Sequence, residues 1–221
     1  MNASIAGHPA TPGRARGYAV TMTRLSRVQV QELNRETVLR VARDAFLRDG
    51  YVSTSVASVA KEAGFTTGIV YSSFGSKADL ALEVLAVLQA EQIAELGRSV
   101  EGIASTEDAL GRVRAWAAAA TASGWVRFEL ELLLDTINDP RLAAAQKARQ
   151  DAAVEQATVV VRTLTPGVDA DAETIEILAE AAVDYAIGVA IRHVTNPSAS
   201  PDRFLRLMSP FLALLTRPSS T

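Results

Sequence analysis

The sequence predicts an all-α protein of about nine helices. Three observations support this class. Apolar residues recur at three- and four-residue steps along most of the chain, which places them on one face of a helix. Ser, Thr or Asp precede these periodic stretches, and Gly or Pro separate them, as is typical of helix caps and breakers. We find no convincing stretch with the apolar-polar alternation of a β-strand.

Composition excludes several classes of protein. The 221 residues are 48% hydrophobic and 21% charged, which is ordinary globular usage and enough to bury a core. The chain has no cysteine and only two histidines, His8 and His193, which leaves little for a metal centre or a catalytic triad. The longest apolar stretch is far shorter than the roughly 18 residues of a membrane span, and no secretory signal begins the chain. We expect a cytoplasmic protein without metal or cofactor.

The charge is unevenly divided along the chain. Residues 1–80 hold ten Lys or Arg and six Asp or Glu, whereas the remainder holds 12 basic and 19 acidic side chains. A basic amino-terminal third on an acidic body favours an end that faces a polyanion. The alternative is a chance distribution of solvated surface charge.

The first 31 residues lack periodicity. They mix Gly, Pro, Ser, Thr and Arg, and predict a flexible basic arm that leaves Met22 as an alternative start. A helix is predicted from residue 33 to Asp49, where Gly50 supplies left-handed geometry at its end. Its inward face consists of Leu33, Val38, Val41, Ala42, Ala45 and Phe46.

Two short helices and a long one follow. Thr54 is predicted to cap the second helix, Ala63-Gly64 ends it, and Thr66 opens the third. Gly75 then ends the third helix, and Ser76 with Asp79 forms a capping box for a long fourth helix.

The remaining helices have equally clear starts. Ser105 with Asp108 opens the fifth, and a Leu-rich stretch forms the sixth. Asp139-Pro140 caps the seventh with proline at its first position, Pro166-Gly167 separates it from the eighth, and Ser200-Pro201 starts the ninth. The nine predicted helices span residues 33–49, 55–63, 66–73, 77–96, 105–122, 125–137, 140–163, 171–195 and 201–216.

The second and third helices have the spacing of a helix-turn-helix, because a tight turn at Gly64-Phe65 joins them. In such a unit the second helix enters the major groove of DNA and the first braces it. The pattern alone also allows two short helices that merely turn a corner in a bundle. The predicted core between them is Val56, Val59, Ala60, Ile69, Val70 and Phe74.

Within this segment a more specific pattern is present. It consists of Val59-Ala60, Ala63-Gly64, Gly68, Val70-Tyr71, Phe74, Ser76-Lys77 and Leu80. This pattern resembles the DNA-binding domain of TetR-family transcriptional regulators. The resemblance implies an arm over residues 1–31, a DNA-binding domain over 32–92, and a ligand-binding and dimerisation domain over 93–221.

The resemblance also implies roles for individual residues. Thr67, Ile69 and Ser72 would face the groove, and Gly68 would permit close approach to the duplex. The other candidates would contact phosphates. The full DNA-binding set is Thr54, Ser55, Thr66, Thr67, Gly68, Ile69, Tyr71, Ser72, Ser73 and Lys77.

Two positions depart from the family pattern. Ser72 and Ser73 stand where the family often has larger side chains, which weakens the reach into DNA. Arginines of the arm compensate if they enter the minor groove. The alternative is that the arm is a solvated tail.

For the body, the resemblance implies that the last two helices pair with those of a twofold mate as a four-helix bundle. The alternative is that their apolar faces are simply intramolecular core. A small, largely apolar effector is expected among the middle helices, although each candidate side chain is equally typical of a core. The ligand-binding candidates are Trp116, Trp125, Phe128, Leu132, Tyr185 and His193.

The sequence therefore favours a homodimeric, ligand-responsive repressor of a palindromic operator. Two other classes compete with it: an enzyme that uses the helical body, and a helical adaptor without DNA affinity. The missing cysteine, the single histidine in the body, and the absence of a phosphate loop or Gly-x-Ser-x-Gly motif argue against an enzyme.

Overall fold

The computed structural model describes residues 26–103, 105–165, 170–196, 198, 199 and 202. Within these ranges the chain forms eight α-helices and no strand, so the predicted all-α class is confirmed. The predicted ninth helix, 201–216, lies outside the described residues except for Asp202, as does the arm before Ser26. The helices are α1 Arg27–Asp49, α2 Val56–Ala63, α3 Thr67–Phe74, α4 Lys77–Val100, α5 Thr106–Ala122, α6 Trp125–Thr136, α7 Pro140–Leu164 and α8 Ala172–Thr195.

Helix α1 begins earlier than the apolar pattern predicts. Ser26 caps it: its Oγ accepts a hydrogen bond from the Gln29 backbone N–H (3.2 Å), and the Gln29 side chain accepts from the Ser26 N–H (2.8 Å). This reciprocal capping box extends the helix by two turns of mostly exposed residues that the predicted arm contained. Apolar periodicity could not find these turns because they bury little.

The predicted cap of α2 is wrong by one residue. Ser55 is the cap, since its Oγ accepts from the Ser58 N–H at 3.0 Å. Thr54 is turned inward, 4% exposed, and its hydroxyl donates to the Gly50 carbonyl at 2.7 Å. The Thr54 hydroxyl therefore bonds a backbone carbonyl at the end of α1, and the Ser55 hydroxyl caps α2 instead. Gly50 has the predicted positive φ of 84°, but its ψ of 169° lies outside the left-handed helical region.

Other predicted caps are confirmed. The Ser76 Oγ accepts from the Asp79 N–H at 3.0 Å, and α4 then runs four residues beyond its predicted end. Ser105 caps α5, and Asp139 caps α7 with Pro140 in its first turn. Asp171, at the predicted start of α8, caps that helix, although no cap was predicted there. These short polar signals located helix starts because the cap hydrogen bonds are local.

Two apolar clusters form the interior. The larger unites α1 to α4 with α6 and the start of α7, and at its centre the rings of Phe46 and Phe128 stack with centroids 4.7 Å apart. The smaller lies farther along α4, where Leu96 and Val100 pack with Val160 of α7. Helix α4 contributes to both clusters and thereby connects the two ends of the molecule. None of the described helices is long and apolar enough to cross a membrane.

Candidate nucleic-acid interface

Helix α3 lies on the surface and is anchored from one side. Val70 and Phe74 are buried, and the Arg35 guanidinium lies over the Phe74 ring at 4.8 Å from its centroid. The opposite side carries a row of exposed residues, with Ile69 half-buried at its margin. The exposed candidates are Thr66, Thr67, Gly68, Tyr71, Ser72 and Ser73.

The turn before α3 fixes its angle to α2. Gly64 has φ 79° and ψ 23°, the left-handed conformation that closes a helix and that residues with a side chain adopt at a cost. The Phe65 N–H then donates to the Ala60 carbonyl at 2.8 Å, which folds the chain back over the end of α2. The predicted glycine turn of a helix-turn-helix is therefore present.

Gly68 has no intramolecular reason to be glycine. Among the described residues, a Cβ at this position would meet only the Thr66 Oγ1, at an ordinary 3.8 Å. Glycine inside a helix costs roughly 0.5–1 kcal/mol relative to alanine. The missing side chain therefore leaves open space on the exposed face of α3, outside the protein.

The hydroxyls of α3 are arranged along the same face. Ser72 and Ser73 both donate to the Ile69 carbonyl, at 2.9 and 2.8 Å. Tyr71 is 51% exposed. The Thr66 side chain makes no capping hydrogen bond to α3, so its hydroxyl is available at the start of the helix. A polyanion approaching this face would meet hydroxyl groups and the amino-terminal end of a helix dipole.

Two predicted contacts occupy other places. Thr54 is buried and bonded to α1, so its hydroxyl is not on the DNA-facing surface, whereas Ser55 is exposed. The Lys77 ammonium lies 4.2 Å from the centroid of the Tyr51 ring and 3.5 Å from the Val52 carbonyl, and burial lowers its pKa. Lys77 therefore points toward the body of the protein in this structure.

The six ligand-binding candidates lie in different parts of the described structure. Phe128 and Leu132 are fully buried in the larger cluster, whereas Trp116 packs on the smaller one and its Nε1 donates to the Gln92 carbonyl at 3.0 Å. Trp125 and Tyr185 are half-buried. The His193 Nδ1 lies 3.2 Å from the Ala199 carbonyl oxygen, at a cleft of about 420 Å³ beside the end of α1.

A buried polar cluster in the body was not predicted. The Arg149 side chain is 6% exposed, and its guanidinium donates to Gln146 (3.2 Å), Gln89 and Glu129. Both glutamines are buried. Glu129 pairs here because α6 and α7 bring it to the guanidinium. The feature of the sequence that could have predicted this cluster is the presence of polar residues on the inward faces of α4 and α7.

An exposed helix seated on a supporting helix through a glycine turn defines a helix-turn-helix protein. Comparisons with known proteins identify which kind. Residues 38–84 match the model of the family described as bacterial regulatory proteins, tetR family. The HTH-type transcriptional regulator HbdR of Aromatoleum sp. (strain CIB) is 31% identical over 72 residues, 33% of this chain and 31% of that protein. The helix-turn-helix segment of this chain is therefore similar to that of TetR-family regulators.

Solved structures agree on the fold. A TetR-family transcriptional regulator from Pectobacterium atrosepticum has a TM-score of 0.59 at 24% identity, over 87% of this chain and 96% of that one. The TetR family repressor AlkX from Dietzia sp. has a TM-score of 0.55 at 21% identity, over 83% and 97%. At such identities the likeness concerns the fold. The chain spans about a third of the length of the curated relative that it matches.

Proposed function

We propose that this chain is a transcriptional repressor that binds a palindromic operator as a homodimer and is released by a small, largely apolar effector. The observation that carries the proposal is the outer face of α3, where polar side chains flank a glycine that the protein's own packing does not require. A helix on the surface can enter the major groove, and a glycine there allows the backbone close to the bases.

Individual contacts follow from this placement. Thr67 and Ser72 hydrogen-bond base edges, and Ile69 contacts a thymine methyl group. The hydroxyls of Ser55, Thr66, Tyr71 and Ser73 meet phosphates, which fixes the register of the protein on the duplex without reading sequence. Lys77 joins them only if its ammonium leaves the Tyr51 ring, and Thr54 is not among the contacts.

Helix α8 supports the homodimer. Its inward face buries Ile175, Ala179 and Val189. A second apolar stripe on another side is exposed, and helical spacing aligns its members. This stripe consists of Ile177, Ile187, Ile191 and Val194. Pairing it with a twofold mate would bury it. A dimer that reads successive major grooves needs its two copies of α3 about 34–36 Å apart, one turn of DNA.

The effector proposal rests on the body. Its interior side chains are mainly apolar around Trp116 and the end of α4. Within the described part of the chain, the buried Nε1–H of Trp125 finds no acceptor. A buried donor without a partner is costly, so an effector carbonyl or hydroxyl at this point would be favoured. The proposal makes the chain a regulator that acts in the cytoplasm and performs no catalysis.

Fluorescence anisotropy with the DNA upstream of its own gene tests the proposal. We expect saturable binding at low salt that weakens steeply as salt rises, because phosphate contacts release counterions. An unrelated duplex of equal length is the control. Equal affinity for both duplexes, or flat titrations at low salt, would contradict a sequence-specific repressor.

A further inference from the structure

We infer that four charged side chains of the body, Arg127, Glu131 and Asp135 of α6 with Arg141 of α7, set the orientation of the helix-turn-helix relative to the body. We call these four residues the polar clasp. Its consequence for DNA affinity rests on the proposed function, but the orientation itself can be measured without DNA.

Three members of the polar clasp follow one another at four-residue steps, so they share one face of α6. Arg127 donates to the Arg48 carbonyl at 2.9 Å, and Glu131 accepts from the Val52 N–H at 2.7 Å. Asp135 accepts from the Tyr51 hydroxyl. Three successive turns of α6 therefore hold the five-residue stretch from Arg48 to Val52.

The fourth member holds the other side of the same unit. Arg141 donates through Nη2 to the Asp79 Oδ2 at 3.2 Å and also binds its other oxygen. Asp79 lies in the first turn of α4 and receives a further hydrogen bond from the Ser76 hydroxyl at 2.6 Å. The polar clasp therefore contacts the helix-turn-helix on both sides, just before α2 and just after α3.

Apolar packing alone leaves the orientation less well defined. The attachment of α1 to α6 centres on the stacked rings of Phe46 and Phe128, which are 1% and 0% exposed. Apolar burial is non-directional, whereas hydrogen bonds require aligned donors and acceptors. The polar clasp adds the directional contacts that this apolar packing lacks.

The sequence makes room for the polar clasp at Gly50. A Cβ here would lie 2.7 and 2.8 Å from the two carboxylate oxygens of Glu131, closer than such atoms approach. Gly50 also has a φ of 84°, which favours glycine independently. The close approach lets the Glu131 carboxylate reach the backbone at Val52.

Spin-label distance measurements test the inference. The chain contains no cysteine, so Lys61→Cys on α2 and Glu155→Cys on α7 place one label in each unit. Labelled protein is diluted into excess unlabelled protein so that only distances within a protomer are recorded. We expect a narrow distribution in this parent and a broadened or displaced one in Glu131→Ala/Asp135→Asn. Arg98→Ala, which removes an ion pair within α4, is the control and should match the parent.

The outcomes separate orientation from stability. Circular dichroism establishes that each variant is folded, and the single variant Glu131→Ala, which removes the acceptor for the Val52 N–H, replaces the double variant if that one unfolds. An unchanged distribution in folded variants, or a parent distribution already broad, overturns the inference. A broadened distribution together with a several-fold weaker DNA affinity supports it. Broadening in a protein whose wild type binds no DNA supports the polar clasp and refutes the proposed function.

Discussion

Replacing Gly68 by alanine should stabilise the protein and weaken DNA binding. The added Cβ meets only the Thr66 Oγ1 at 3.8 Å, so no steric cost offsets the helix propensity gained, roughly 0.5–1 kcal/mol. In the proposed DNA complex the same methyl group would occupy the space between the α3 backbone and the bases. Forcing an extra methyl group into a close-packed contact costs about 1–3 kcal/mol, which weakens affinity roughly 5- to 150-fold.

The assay combines urea denaturation at fixed protein concentration with anisotropy on the operator DNA. Gly111→Ala is the matched control, because it makes the same change within α5, where a Cβ meets nothing within 4 Å among the described residues. Both variants should unfold at a higher urea concentration than wild type, and only Gly68→Ala should lose affinity. Equal DNA affinity of the two variants would refute the assignment of α3 as the reading helix.

Three further substitutions probe the fold and the dimer. Gly124→Ala should strongly destabilise the protein, because its Cβ would lie 2.1 Å from a backbone carbonyl oxygen of α1; urea denaturation measures the loss. Gly188→Trp should yield a folded monomer in sedimentation, because Gly188 is exposed beside the α8 stripe and a Cβ there meets nothing within 4 Å among the described residues. The Arg141 hydrogen bond lowers the pKa of Asp79, so this pair stabilises the protein above about pH 4 and the stability is lost as pH falls further. The stability difference between wild type and Arg141→Ala, measured by urea denaturation at pH 6 and pH 3, should therefore shrink at the lower pH.

Each of these substitutions has a control. In Gly102→Ala the residue has a φ of 72°, but the added Cβ has no close neighbour among the described residues. The substitution should therefore lower the free energy of unfolding only by the left-handed penalty of about 1–2 kcal/mol, less than Gly124→Ala does. Gly111→Trp should leave the oligomeric state unchanged. If Gly188→Trp is still a dimer, the α8 stripe is not the interface. If the stability difference between wild type and Arg141→Ala does not change with pH, the titration of Asp79 is not its cause.

Local signals in the sequence located most helices, whereas long-range contacts could not be predicted. Ser76, Asp139 and Asp171 each bond within three residues of themselves, so their spacing alone predicts a helix start. Thr54 and Ser55 are both acceptable caps locally, and only packing against α1 decides between them. Glu131 contacts Val52, 79 residues away, and no local pattern contains such a pair.

The outward residues of α3 were predicted from the resemblance of residues 59–80 to a known DNA-binding pattern, in which the glycine spacing is a local property. The effector site could not be predicted, because apolar side chains such as Phe128 satisfy the same pattern whether they line a cavity or fill the core. The orientation of Lys77 depends on the Tyr51 ring and on the carboxylates of α6, which only the folded chain assembles.

Helix α4 is one continuous helix that runs from the end of the helix-turn-helix to the smaller apolar cluster. Its 24 residues span about 36 Å. A tilt of about 5° at the far end would displace its first turn by about 3 Å, close to the roughly 3.4 Å rise of one base pair. A small tilt at the far end of α4 would therefore move its first turn by a distance close to the spacing of base pairs.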